Sequence, residues 1–151
     1  MCGLFGYFLA HPTQDTATLN ARLLSAQRAL NHRGPDDRGL DKFSISCNSH
    51  IGTLSLGHIR LSIIDLVPSG HQPMHSGDGR YTIVFNGEMY NYCELQCELK
   101  SQGFVFRTVS DTEVLLAAWA HWGVKGLRRL NGMFAFAVYD RNEQSLTLVR
   151  D

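Results

Sequence analysis

A chain of 151 residues suits a single domain that buries a substantial core. Apolar residues make up 44% and charged residues 19%, an ordinary globular composition that excludes a disordered or fibrous chain. Fourteen basic residues balance fourteen acidic ones, so no field favours nucleic acid or an anionic membrane, and no apolar run approaches the ~18 residues of a membrane span.

Gly3 to Phe8 reads as a short buried strand. It has no basic residue before it and is broken by Gly6, unlike a secretory signal. Leu19, Leu23, Ala26 and Leu30 recur at helical spacing and predict an amphipathic helix from about Thr16 to Asn31. Gly34 and Pro35, in the polar loop Asn31 to Asp37, stop it. Phe43 to Cys47, Thr53 to Ile59 and Leu61 to Leu66 read as strands, and Pro68 to Gly79 as a loop rich in Gly, Pro and Ser.

Tyr81 to Phe85 is a predicted strand ending at the turn dipeptide Asn86-Gly87. A helix follows from about Asn91 to Gln102, with Asn91 as N-cap, Glu94 three residues on and Gly103 at the stop. Phe104 to Thr108 reads as a strand. Ser110 and Glu113 form a capping box that opens a helix ending before Gly123. Met133 to Tyr139 and Ser145 to Val149 form a hairpin around Asp140-Arg141-Asn142-Glu143. Strands joined by hairpins among clustered helices indicate an α+β fold with antiparallel sheets. Arg150-Asp151 comes directly after a strand, and the chain is expected to continue in a longer protein.

Four cysteines (Cys2, Cys47, Cys93 and Cys97) leave disulfides open, but without a secretory signal reduced thiols in the cytoplasm are expected. Cys93 and Cys97 lie four apart, as two ligands on one helical face would. No C-x-x-C or H-E-x-x-H accompanies them, so they read as helix packing residues and no metal site is expected.

Cys2 is different. If Met1 is removed, Cys2 carries both a thiol and a free α-amine. An ordinary thiol has a pKa near 8.5 and needs a base to become the nucleophilic thiolate. An N-terminal amine, at about 7.7–8.0, can be that base near neutral pH. Polar groups also collect where strands stop: Arg33-Gly34-Pro35-Asp36, His58 to Asp65, Asn86-Gly87-Glu88 and Ser110 to Glu113. Each alone has an ordinary account. Arg60 and Asp111 suit a surface ion pair, Asn86-Gly87 a turn and Ser110 a cap.

In order, with Cys2, they resemble the glutaminase domain of the class II glutamine amidotransferases, within the N-terminal nucleophile hydrolases. The asparagine synthetase type is the best match. Its motifs read here as Met1 to Gly6, Arg33 to Asp36, His58 to Asp65, Gln72-Pro73-Met74, Asn86 to Glu88, Ser110 to Glu113 and Gly132 to Phe136. The sugar-aminating and phosphoribosylamine-forming branches carry a Trp and a T-H-G run where this chain has Arg60-Leu61-Ser62-Ile63. Ile59 departs from the pattern, which often has Glu there.

The resemblance implies an αββα sandwich, two stacked antiparallel sheets between helical layers. It makes residues 1–151 a type-2 glutamine amidotransferase domain incomplete at its C-terminus, with the synthetase domain absent. No S-G-G-x-D-S pyrophosphate loop occurs. It also implies roles. Cys2 attacks the side-chain amide of glutamine. The Asn86 side chain and the Gly87 N–H form the oxyanion hole. Arg60 grips the α-carboxylate, Asp111 with Glu88 holds the α-ammonium, and backbone groups of Ile63 and Ile64 line the pocket. The Arg33 to Asp36 loop lies near the N-terminus and helps order the site. No cofactor is expected in this segment, ATP and Mg being expected only in the synthetase domain, which would be the partner. The alternatives are an N-terminal cysteine amidase for another amide, or a fragment that only binds a partner.

Overall fold

The computed structural model describes residues 2–10, 16–47, 50–62 and 68–151. The elements run β1 (Gly3–Leu9), α1 (Thr16–Leu30), β2 (Asp37–Cys47), β3 (His50–Arg60), β4 (Met74–His75), β5 (Tyr81–Met89), α2 (Tyr92–Ser101), α3 (Asp111–Trp122), β6 (Gly132–Asp140) and β7 (Ser145–Arg150). Short 3-10 turns cover Asn31–Arg33, Pro68–Gly70 and Gly123–Arg129. Two antiparallel sheets result, one in the order β1-β3-β2 and the other β4-β5-β6-β7.

The strand period of two sorts the side chains into layers. Val84, Ala137 and Tyr139 face the first sheet and pack with its Phe43, Ile45, Leu54 and Leu56. Their neighbours Ile83, Phe85, Phe136 and Val138 face the other way, onto Leu95, Leu99, Val114, Leu115 and Trp119 of α2 and α3. β5 and β6 are therefore apolar on both faces, as central strands covered on both sides must be. α1 covers the first sheet from outside, contacting β1 and β3 and burying Leu19 and Leu23. The layers are helix, sheet, sheet, helix.

Several local expectations change. β5 does not turn at Asn86-Gly87 but continues to Met89, because β6 pairs with it throughout, Asn86 with Ala135 and Gly87 with Phe134. The glycine serves close approach. A Cβ on Gly87 would lie 2.2 Å from the Met133 carbonyl oxygen. Residues 104–108 form no strand. Their backbone groups serve helix ends instead: Phe104 N–H donates to Leu99 O, and the Arg107 and Thr108 N–H groups donate to the Glu113 carboxylate. The capping box is thus half formed, with Ser110 Oγ accepting from Thr112 N–H while Glu113 turns away. The Asn91 side chain does not cap α2. It bonds the Arg129 carbonyl and the Asn131 N–H.

Cys93 and Cys97 are exposed rather than packed, since Leu95 and Leu99 define the buried face of α2 and the cysteines lie two positions off it. β3 ends at Arg60, so the strand expected at Leu61 to Leu66 is absent at Leu61 and Ser62, and its remainder lies outside the described residues. Among the described residues no helix is long and apolar enough to cross a membrane.

Candidate active site

The register of β1 on β3 sets Gly3 opposite Ile59 and Leu4 opposite His58. Continued one residue back, it sets Cys2 opposite Arg60. Leu56 faces the inter-sheet layer, so by alternation His58 and Arg60 do too. On β5, Val84 faces the same layer from the opposite sheet, which turns Asn86 and Glu88 toward it. Cys2 and Arg60 therefore belong to one wall of the sandwich and Asn86 and Glu88 to the other.

The Cys2 thiol is half-buried and held by one residue, Leu61. The sulfur accepts from the Leu61 N–H at 3.3 Å and lies 3.6 Å from its carbonyl oxygen. Arg33 Nε donates to the Cys2 carbonyl at 2.8 Å. In the same loop, Asp36 N–H donates to the Arg60 carbonyl at 3.1 Å, and its carboxylate accepts from Ser62 N–H at 2.8 Å. Gly34 lets the two segments cross, since a Cβ there would lie 2.3 Å from the Arg60 carbonyl carbon. One loop thus ties the N-terminus to the end of β3.

Arg60 is 7% exposed, and its guanidinium lies against Gly70, where a Cβ would come within 2.1 Å of Nη2. Asp111, in the first turn of α3, is also buried and accepts from the Met89 N–H at 3.1 Å. Burial pushes its carboxyl above the usual carboxylate range, a shift opposed by the Met89 and Thr112 N–H groups and reinforced by Glu88. The Asn86 side chain is half-buried, and its Oδ1 has no hydrogen-bond partner among the described residues. Glu88 is exposed. Ile63 and Ile64 lie outside the described residues.

His58 and Gln72 stood in the sequence motifs without a role. His58 is fully buried, and its Nε2 lies 3.0 Å from the Phe85 carbonyl oxygen on the other sheet. A carbonyl only accepts, so Nε2 carries the proton and Nδ1 is bare, with no partner among the described residues. Burial, aided by the Arg60 charge, lowers the imidazole pKa to about 4, leaving the ring neutral near pH 7. Gln72 Oε1 accepts from the Phe85 N–H at 2.6 Å, and its Nε2 donates to Thr112 Oγ1 at 3.2 Å. For His58 the further signal was a polar side chain among the apolar residues of β3, whereas Gln72, in the Pro68 to Gly79 loop, had its motif alone.

The pattern for the glutamine amidotransferase domain matches residues 1–151. The chain is similar to asparagine synthetase [glutamine-hydrolyzing] 1 of Bacillus subtilis (strain 168), 42% identical over 151 residues covering all of this chain and 22% of that protein. It is also similar to amidase chry2 of Gibberella zeae, 39% identical over 159 residues, again covering all of this chain and 22% of that protein. The solved glutamine phosphoribosylpyrophosphate amidotransferase of B. subtilis, complexed with ADP and GMP, aligns with a TM-score of 0.70 at 22% identity. The alignment covers 98% of this chain and 37% of that one. The shared architecture is the layered sandwich described above.

Proposed function

Because the chain belongs to the glutamine amidotransferase domain family, we propose that it is the glutamine-hydrolysing part of an asparagine synthetase-like enzyme, with Cys2 as the nucleophile. The observation that carries the reading is the pairing of walls. The register sets the Leu61-anchored Cys2 opposite Arg60 on one sheet, and Asn86 faces that layer from the other. Buried Arg60 suits the α-carboxylate of an amino acid, a task for a planar guanidinium. Asp111, with Glu88, suits its α-ammonium. Removing this carboxylate from water is unfavourable until a cation meets it. Glutamine offers both an α-carboxylate and an α-ammonium to these two groups, which favours it over an amide that lacks either. Ile63 and Ile64 would complete the pocket through their backbone groups.

The chemistry follows from these placements. With Met1 removed, the Cys2 amine takes the thiol proton as sulfur bonds to the side-chain amide carbon. The carbonyl electrons move onto oxygen, which the Asn86 amide and Gly87 N–H stabilise. When the oxyanion collapses, the carbon–nitrogen bond breaks and the nitrogen leaves as ammonia with that proton. Water then attacks the thioester carbon, the carbon–sulfur bond breaks, a proton from that water returns to sulfur and glutamate is released. Both curated relatives are far longer than this chain. In the proposal the ammonia goes to an ATP- and Mg-dependent synthetase domain in the remainder of a cytoplasmic protein, for amidation of aspartate. The test is incubation of purified protein with glutamine. Glutamate release that disappears in Cys2→Ala supports the proposal, and no release by the unmodified protein refutes it.

A further inference from the structure

In β5 the odd-numbered residues turn their backbone groups toward β4. Ser76 N–H donates to the Tyr81 carbonyl, Met74 pairs with Ile83, and at the far end Met89 N–H reaches the Asp111 carboxylate. Antiparallel alternation therefore points the groups of Phe85 and Gly87 the same way. β4 stops at Met74, the residue after Pro73. Continuing the register would set Gln72 opposite Phe85, the position where a strand partner is missing.

Two side chains fill that position. Gln72 Oε1 takes the Phe85 N–H and His58 Nε2 takes the Phe85 carbonyl, both in the buried interior. The substitution has a consequence. A β4 strand continuing past Phe85 would satisfy its backbone equally well, but its next pairing would consume the Gly87 N–H. A side-chain clamp ends the pairing one step earlier, before the Gly87 position.

We propose that His58 and Gln72 are positioning residues that clamp both backbone groups of Phe85, and thereby aim the Asn86 side chain and the Gly87 N–H at the oxyanion formed above Cys2. The inference rests on the glutaminase reading and adds two residues to it. Gln72 also donates to Thr112, the neighbour of Asp111, so one side chain links the oxyanion strand to the helix that carries the ammonium-binding carboxylate. In this proposal both act through Phe85 and not by contact with substrate.

The test is steady-state glutaminase kinetics on His58→Leu, His58→Gln, Gln72→Met and Gln72→Glu, each also combined with Asn86→Ala, with a thermal melt on every variant. A donor displaced by about 1 Å can cost on the order of 10²-fold in rate. His58→Leu and Gln72→Met should therefore lower kcat by about 10- to 100-fold while KM stays within about twofold. His58→Gln, whose amide can donate where Nε2 does, should recover most of that loss. Gln72→Glu keeps the acceptor for Phe85 and should fall between Gln72→Met and the unmodified protein. In the Asn86→Ala background the clamp substitutions should cost little more, because the donor they aim is gone.

An unchanged kcat in folded His58→Leu or Gln72→Met overturns the clamp, and so does full additivity with Asn86→Ala. If His58→Leu does not fold, the Gln72→Met cycle decides by the same criteria. An unmodified protein that releases no glutamate sinks the glutaminase reading and the clamp together, whereas activity insensitive to the clamp variants sinks only the clamp.

Discussion

Arg33 Nε donates to the Cys2 carbonyl oxygen over 2.8 Å, and the methylene stem of the same side chain passes under Gly3, where a Cβ would lie 3.5 Å from Cδ. The turn that ends α1 therefore anchors the peptide bearing Cys2. It does so from a residue 31 positions away in the chain.

A hydrogen bond to a charged group contributes about 1.5–3 kcal/mol. Arg33→Ala should accordingly lower kcat/KM for glutamine by about 10- to 100-fold while the fold persists. Kinetics and a thermal melt on one preparation check this. Wild-type kcat/KM in a folded variant would remove Arg33 from the site.

Cys2 is half-buried and Cys93 and Cys97 are exposed, so a general thiol reagent should label the latter pair readily. A glutamine-shaped alkylating agent should instead modify Cys2, because recognition and not exposure would direct it. Peptide mapping separates the two patterns, and glutamine should protect Cys2 alone. Intact mass should also show one Met missing. Active protein that retains Met1 would falsify the amine-as-base mechanism.

Asn86→Ala should lower kcat by on the order of 10²–10³, the usual effect of losing one oxyanion donor. Arg60→Ala and Asp111→Ala should act mainly by raising KM, since they remove contacts made equally in ground and transition states. A pure KM effect in Asn86→Ala would end its assignment to the oxyanion hole.

His58 gives stability a pH dependence of defined sign. Its folded pKa, about 4, lies below the ordinary value of 6.5, so between those values the unfolded chain binds more protons. Its contribution is complete above pH 6.5 and is lost as pH falls toward 4. The loss is on the order of 3 kcal/mol, since each tenfold change in proton affinity is worth about 1.4 kcal/mol. Denaturant titrations at several pH values should show a weaker acid dependence in His58→Gln than in the unmodified protein. Equal slopes would mean that the His58 ring is not buried in its neutral form.

The sequence alone determined most of the elements and the family. Helical spacing at Leu19 and Leu23 marked α1, the Asp140 to Glu143 turn marked the hairpin of β6 and β7, and the ordered motifs around Cys2, Arg60, Asn86 and Asp111 marked the glutamine amidotransferase family. These signals are local, because periodicity and short motifs depend on residues a few positions apart. Asn86-Gly87 misled for the same reason. Turn propensity is local, whereas the pairing with β6 that keeps the chain extended comes from residues more than forty positions on. The exposure of Cys93 and Cys97 likewise depended on which face of α2 met the core. Only the tertiary structure decided that His58 and Gln72 meet at Phe85, from another sheet and from the segment before β4. No rule along the chain links those positions. Their bonds exist because a buried backbone N–H and carbonyl at the end of a strand pairing must find partners, and folding brings these two side chains within reach.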